Sequence, residues 1–277
     1  MNKIFKVVWN KSKNCYVVVS EFAKNNSGKK KVVVAAVFAA LAMAQGGTSM
    51  AANDTPTSLN PTSVGFGSGA SVSGAWAVGL GKGATVNTNS SVGIGYGANA
   101  ATDESVAIGK DSLANGGTTV AIGTNAKVKG SKQGIAIGGG RLDTEGAIVE
   151  GDQSIAIGGN TIARGHASVV IGGDDTDTAN GQTVTYTDIN SGRLVTASLK
   201  EAVQKLTGVD LTSPRWTPAT SGHAGITVGM KANTGNASIA IGTAADAKTR
   251  IAGSTSTADV TNAVAIGTGA KANRDNS

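Results

Sequence analysis

Residues 104–123 read ESVAIGKDSLANGGTTVAIG, a five-residue phrase, a turn, and the phrase again fourteen residues on. Close copies follow one another along most of the chain: SVGFG at 63–67, AWAVG at 75–79, SVGIG at 91–95, SVAIG at 105–109, TVAIG at 119–123, GIAIG at 134–138, SIAIG at 154–158, SVVIG at 168–172, GITVG at 225–229, SIAIG at 238–242 and AVAIG at 263–267. Their last glycines are separated by 12, 16, 14, 14, 15, 20, 14, 57, 13 and 25 residues, so fourteen is the commonest interval and the rest are insertions or slips. Self-similarity on this scale is the mark of a solenoid, in which each unit buries its face only against its neighbours.

The residue types say what one unit is. In Ser105-Val106-Ala107-Ile108-Gly109 branched side chains alternate with a small one, a period of two that puts Val106 and Ile108 on one face of a strand and Ala107 on the other. Val120, Ala121, Ile122 and Gly123 repeat the pattern. The reading is that Val106, Ile108, Val120 and Ile122 fill the interior while Ala107 and Ala121 keep an outer face flat. Gly109 and Gly123 allow the sharp turn that so short a coil needs, because glycine reaches positive φ without steric cost. A weaker segment follows each turn, as in Lys110-Asp111-Ser112-Leu113-Ala114. Two strands of about five residues and two short turns account for the period. The fold class is therefore all-β, a flattened roll too thin for aromatic rings, and Phe, Trp and Tyr make up only 4% of the chain. A thin roll has little core per residue. The small residues Ala107, Ala121, Ala136 and Ala156 on the flat face are expected to let another copy approach closely in a symmetric oligomer. A monomer with that face solvated is the alternative.

Net charge is +6, but residues 1–44 hold eight Lys and one Glu, leaving 16 basic and 17 acidic residues in the body. No basic patch with interleaved aromatics remains, so nucleic acid is not an expected partner. The positive charge belongs to a leader: MNKIFKVVWNKSKNCYVVVSEFAKNNSGKKK, then the apolar run VVVAAVFAALAMA from Val32 to Ala44, then small residues. Thirteen apolar residues are too few to span a bilayer and suit a cleaved secretory signal, with cleavage after Ala44 or Ala51. The single cysteine, Cys15, lies in this leader, so the exported chain has no thiol. The organisation is thus a signal over 1–44, a linker over 45–62, roll repeats over 63–172, an insertion over 173–224 and further repeats over 225–277. Within the insertion, LVTASLKEAVQKLTG places Val195, Leu199, Ala202, Val203 and Leu206 at helical spacing, with Gly208 as a C-terminal stop.

About thirty residues precede the apolar part of the leader, and they resemble the extended signal peptide region of large bacterial autotransporters. The repeats, SVAIG followed by Gly-x-x-Ser or Gly-x-x-Ala at fourteen residues, resemble the head of YadA-like trimeric autotransporter adhesins. The resemblance covers the leader, 63–172 and 225–277. It implies a Gram-negative source, export to the cell surface, and a left-handed parallel β-roll assembled as a homotrimer. It also implies a head carried on a surface fibre that binds host extracellular matrix proteins or cell-surface receptors. The family's coiled-coil stalk and outer-membrane barrel anchor are not found in this sequence. Fourteen residues beyond Gly267 would fall another repeat glycine, with its leading serine at Ser277, so the chain is expected to be a fragment or a truncated reading frame.

Motifs of other classes are weak here. Gly93-Ile94-Gly95-Tyr96-Gly97-Ala98 meets the dinucleotide pattern but runs into a roll repeat rather than a helix. Gly81-Lys82-Gly83 lacks the hydroxyl residue of a phosphate loop. Asp174, Asp175 and Asp177 miss calcium-loop spacing, and a solvated turn is the simpler reading. His166 and His223 are each alone, without a patterned carboxylate or Cys partner, and are read as surface or roll-edge residues. No catalytic residue, cofactor or metal is expected, and the chain is read as a non-enzymatic binding module. The alternatives are a non-adhesive structural spacer of a surface fibre and a β-helical enzyme, the latter disfavoured by a period of fourteen rather than six. The insertion is read as structural elaboration or as a receptor-binding protrusion, in which Trp216, set between two prolines, would be the contact residue.

Overall fold

A computed structural model describes residues 5–10, 13–20, 60–174, 177–215, 217–252, 254 and 256–277. The chain divides into two units, 1–52 and 53–277. In the first, Phe5–Asn10 and Cys15–Ser20 pair as an antiparallel hairpin, with Trp9 packed edge-on against Tyr16 at 4.8 Å between ring centres. The sequence reading treated this stretch only as an address; its alternating Val and aromatic residues suit a strand pair. The apolar run Val32–Ala44 and both cleavage positions lie outside the described residues.

The second unit is a parallel β-solenoid. An eleven-stranded sheet collects the repeated phrases, a ten-stranded sheet collects the weaker segments, and the chain alternates between them. Coils stack in register: Val106, Ala107 and Ile108 pair with Val120, Ala121 and Ile122, and these in turn with Ile135, Ala136 and Ile137. Most strands are three residues in the first sheet and two or three in the second, shorter than the five expected, because each coil spends the rest of its length on its corners.

The facing of the strands reverses the sequence expectation. Ala107, Ala121, Ala136 and Ala156 are fully buried, while Val106, Ile108, Val120 and Ile122 are only half-buried and point out of the roll. The cause is the closeness of the two sheets. Inward residues of the second sheet include Val72, Val86, Val128 and Val149, all fully buried, and only a small residue fits opposite them. Size is matched coil by coil: where the first sheet presents Gly79, a Cβ there would lie 2.3 Å from Val72 Cγ2, and at Gly93 it would lie 2.5 Å from Val86 Cγ2. A core of Ala against Val is close-packed but shallow.

One repeat is set differently from its reading as AWAVG. Val78–Leu80 is the strand, Gly79 pairs with Gly65, and the turn glycine is Gly81 at φ +129°, matching Gly67 at +130° and Gly95 at +135°. The spacings of 12 and 16 thereby become two of fourteen. Gly109 and Gly123 sit at φ +126° and +128°, and a Cβ on Gly109 would stand 2.5 Å from the carbonyl oxygen of Gly123 in the next coil. Glycine is required there both for the backbone conformation and for the stacking distance. The leading serines are buried and bonded: Ser105 Oγ donates to Thr102 O at 2.5 Å, and Ser91 Oγ accepts from Ser105 N at 3.2 Å. Ser277 takes the same place in its coil, its carbonyl accepting from Val264 N at 2.8 Å as Ala77 O accepts from Val64 N.

The insertion closes within one coil. Ala219–Ser221 pairs with Thr161–Ala163, and Ile226–Val228 pairs with Val169–Ile171, so neighbouring strands are joined across the excursion. The excursion contains a short 3-10 turn at Asp177–Asn180, a hairpin of Thr183–Thr187 with Leu194–Ser198, and one α-helix, α1, at Leu199–Thr207. The helical reading began too early: Val195 lies in the hairpin opposite Tyr186, and the helix starts where Ser198 can cap it. Glu201 N donates to Ser198 Oγ at 3.2 Å, and Glu201 Oε2 accepts from Ser198 N at 3.3 Å, a reciprocal capping box. Gly208 ends the helix at φ 75°.

Candidate interaction surface

The reversed facing places a continuous apolar row on the outside of the first sheet. Each coil adds one Val or Ile and then a second Ile, Leu, Val or Phe, and parallel in-register pairing lines up like with like, as in Val106, Val120, Ile135, Ile155 and Val169. The side chains at the two ends of the row are the most exposed, with Ile266 at 66% and Val64 at 46%, and those of the middle coils, such as Val106 and Ile122, are half-buried. Eleven strands at about 4.8 Å give a row about 48 Å long. A contiguous apolar face of this extent on a small-core fold marks an interaction surface. The sequence reading had assigned close approach of a second copy to Ala107 and Ala121; those side chains are inside the roll, and the surface offered outward is the Val and Ile row.

A polar ladder runs along one edge of the roll. At seven coils the residue two before the leading Ser position carries a side-chain acceptor that takes the backbone N–H of the equivalent residue one coil earlier, while Gly117 and Lys132 offer none at that position. Asn89 Oδ1 accepts from Ala75 N at 3.0 Å, Asp103 Oδ1 from Asn89 N at 2.7 Å, and Asp152 Oδ1 from Lys132 N at 2.8 Å. His166 Nδ1 accepts from Asp152 N at 2.9 Å, His223 Nδ1 from His166 N at 3.1 Å, and Asn236 Oδ1 from His223 N at 3.0 Å. Asp275 Oδ1 accepts from Thr261 N at 2.8 Å. The histidines read as isolated are stacked, their ring centres 5.0 Å apart, although 57 residues of sequence separate them. The signal was present as a recurring acceptor at one position of the repeat.

Carboxylates near the corners are held ionised. The Thr261 N–H and then the Arg250 guanidinium, 2.9 Å away, lower the pKa of Asp275 below its usual 3.8. Lys127 does the same for Asp143. In the insertion, Asp188 is lowered by hydrogen bonds from the backbone and side chain of Ser191. Of the acidic trio at the start of the insertion, Asp174 Oδ2 accepts from Asn160 Nδ2 at 3.2 Å, and Asp175 lies outside the described residues. Residues 93–98 form the end of one strand and a roll corner. Trp216 also lies outside the described residues, so its proposed contact role is not placed. Among the described residues of the insertion the exposed large apolar side chains are Ile189 and Leu194 around the hairpin turn, at 71% and 75%, and Leu206 on α1, at 39%.

Residues 1–50 match the family model described as the extended signal peptide of the type V secretion system. Residues 89–112, 150–174 and 261–277 match the YadA head domain repeat. Together the two matches support a YadA-like trimeric autotransporter adhesin. No curated protein matches it. In this YadA-like head the matched residues 89–112 span two successive first-sheet strands, Val92–Ile94 and Val106–Ile108, each an outward pair around an inward small residue and each followed by a corner glycine, Gly95 or Gly109. The signal matched at its N-terminus supports export to the bacterial surface, and the solenoid suits a binding protein rather than an enzyme.

Proposed function

We propose that this chain is the head of a homotrimeric surface adhesin in which three rolls pack through their outward Val and Ile rows, and that the assembled head attaches the bacterium to host extracellular matrix proteins or cell-surface receptors. The observation that carries the reading is the unbroken apolar row on the first sheet. A single roll whose interior is mostly alanine gains little from burial, about 25 cal/mol per Å² of apolar surface removed from water, and association through that row supplies the apolar contact the interior lacks. A closed symmetric assembly uses the same face on every copy, and its equivalent sites add avidity to weak individual contacts.

The insertion is the proposed receptor-facing element. It stands out of an otherwise uniform solenoid, is closed at its base by paired strands, and carries Ile189 and Leu194 exposed at its hairpin turn. Trp216 belongs to the same excursion. Binding of the purified head to collagen, fibronectin, laminin and epithelial cells tests the adhesive role, and a folded trimer that binds none of them would make the head a fibre spacer instead. Removing 174–218, which leaves Ala219–Ser221 in its sheet, should abolish binding without changing the trimer. Undiminished binding would remove the insertion from the receptor contact.

A further inference from the structure

The apolar core of the roll is interrupted once along its length. One buried cluster extends from Val72 to Val170 and Ala219, another holds Ala232, Ala240 and the residues beyond, and the two are separate. Between them the inward positions carry hydroxyls. Ser221 Oγ donates to Ser168 Oγ at 2.8 Å, and the Oγ1 atoms of Thr227 and Thr234 lie 2.8 Å apart, all four residues being buried. Hydrogen-bonded hydroxyls satisfy each other but do not bring the transfer free energy of methyl groups, so these coils depend more on bonds along their edges.

At those same coils the edge ladder changes chemistry. Its other acceptors are Asn or Asp, but here they are His166 and His223. A ring that accepts at Nδ1 is neutral and carries its proton on Nε2. The outward nitrogens are therefore N–H donors, which argues against a metal held by this pair. A second proton would go to Nδ1 itself, turning an acceptor into a donor that faces another N–H.

We propose that the stacked His166–His223 pair is an acid-sensitive joint in the roll, placed where the core is weakest and the insertion leaves and rejoins the coils. Each rung needs an unprotonated Nδ1, so the two bonds hold while the rings are neutral and are lost when acid adds a proton there. The neighbouring charges act unequally. Asp152 Oδ2 lies 3.8 Å from His166 Nδ1 and supports a cation on that ring, so a lost rung is there replaced by an ion pair. Along the ladder His223 has on one side His166 and on the other the neutral Asn236, and protonation of both rings sets like charges 5.0 Å apart. Of the further charged groups on these coils, Glu150 is held by Arg164 at 3.1 Å and Lys129 at 3.6 Å, and Asp152 also accepts the backbone N–H of Lys132. The bond from His166 N to His223 Nδ1 is thus the one whose loss nothing offsets.

The ladder itself supplies the control, since Asn is its native acceptor at residues 89 and 236. Amide exchange of the full chain, corrected for the intrinsic pH dependence of exchange, is followed at residues 152 and 166 between about pH 7.5 and about pH 5, the range in which imidazoles change charge. The wild-type protein should lose about tenfold in protection at residue 166, the equivalent of one net hydrogen bond. The doubly substituted His166→Asn/His223→Asn protein should keep its protection across the same range, as should the Ala75 and Asn89 amides in both proteins. Should the double variant not fold, His223→Asn alone removes the uncompensated rung and should give the same result at residue 166. Unchanged protection in the wild type, or an equal loss in the Asn variant, would overturn the proposal.

Discussion

Gly109 and Gly69 are both glycines with positive φ in roll corners, but the structure makes them unequal. A Cβ on Gly109 meets the backbone carbonyl of the next coil, whereas one on Gly69, at φ +66°, meets nothing within 4 Å. Gly109→Ala should therefore destabilise the roll by about 3 kcal/mol, combining backbone strain with a clash that only separation of the coils relieves, and Gly69→Ala by about 1 kcal/mol. Denaturant unfolding of the two variants checks this, and equal losses would contradict the stacking argument. The facing of the strands has its own test at this scale. Ala121→Leu should cost about 1–3 kcal/mol through overpacking of the shallow core, while Ile122→Ser should change the unfolding of a single chain little.

At the scale of the element, the capped helix is the most self-contained part of the insertion. Ser198→Ala removes the acceptor for Glu201 N and should cost the helix about 1 kcal/mol, seen as faster local exchange over 199–207 with the roll unchanged. How much could be read beforehand divides along physical lines. Strand existence, parallel stacking and the corner glycines follow from the repeat alone, because period and residue type fix them. The facing does not follow. Alternation says that Val106 and Ala107 point opposite ways, but which way is inward depends on the separation of the two sheets, and that is set by valines of the weaker second segment that carry little pattern of their own. The start of α1 was misplaced because Leu194–Ser198 has apolar residues compatible with either period, and pairing with Thr183–Thr187 decided the matter. The His166–His223 stack was missed because 57 residues separate the two, although each stands two residues before a repeat phrase and so on the same edge of the roll.

For the molecule as a whole, the charged corners set an acid limit distinct from the histidine joint. Asp275 and Asp143 are both held below the usual 3.8, so their contribution is fully present above that value and is lost as pH falls below it through their folded values. The roll should accordingly unfold at a lower denaturant concentration below pH 3.8 than at pH 5. An unchanged midpoint would contradict the role of these carboxylates. The apolar row on the first sheet remains the feature on which the proposed assembly and adhesion rest. Its most direct test is the molar mass of the exported head by light scattering, measured for the wild type and for Ile108→Glu/Ile122→Glu, whose substitutions lie on the outward face. The account predicts three chains for the wild type and one, with β-structure retained, for the variant. A wild-type monomer, or a variant that remains a trimer, would contradict it.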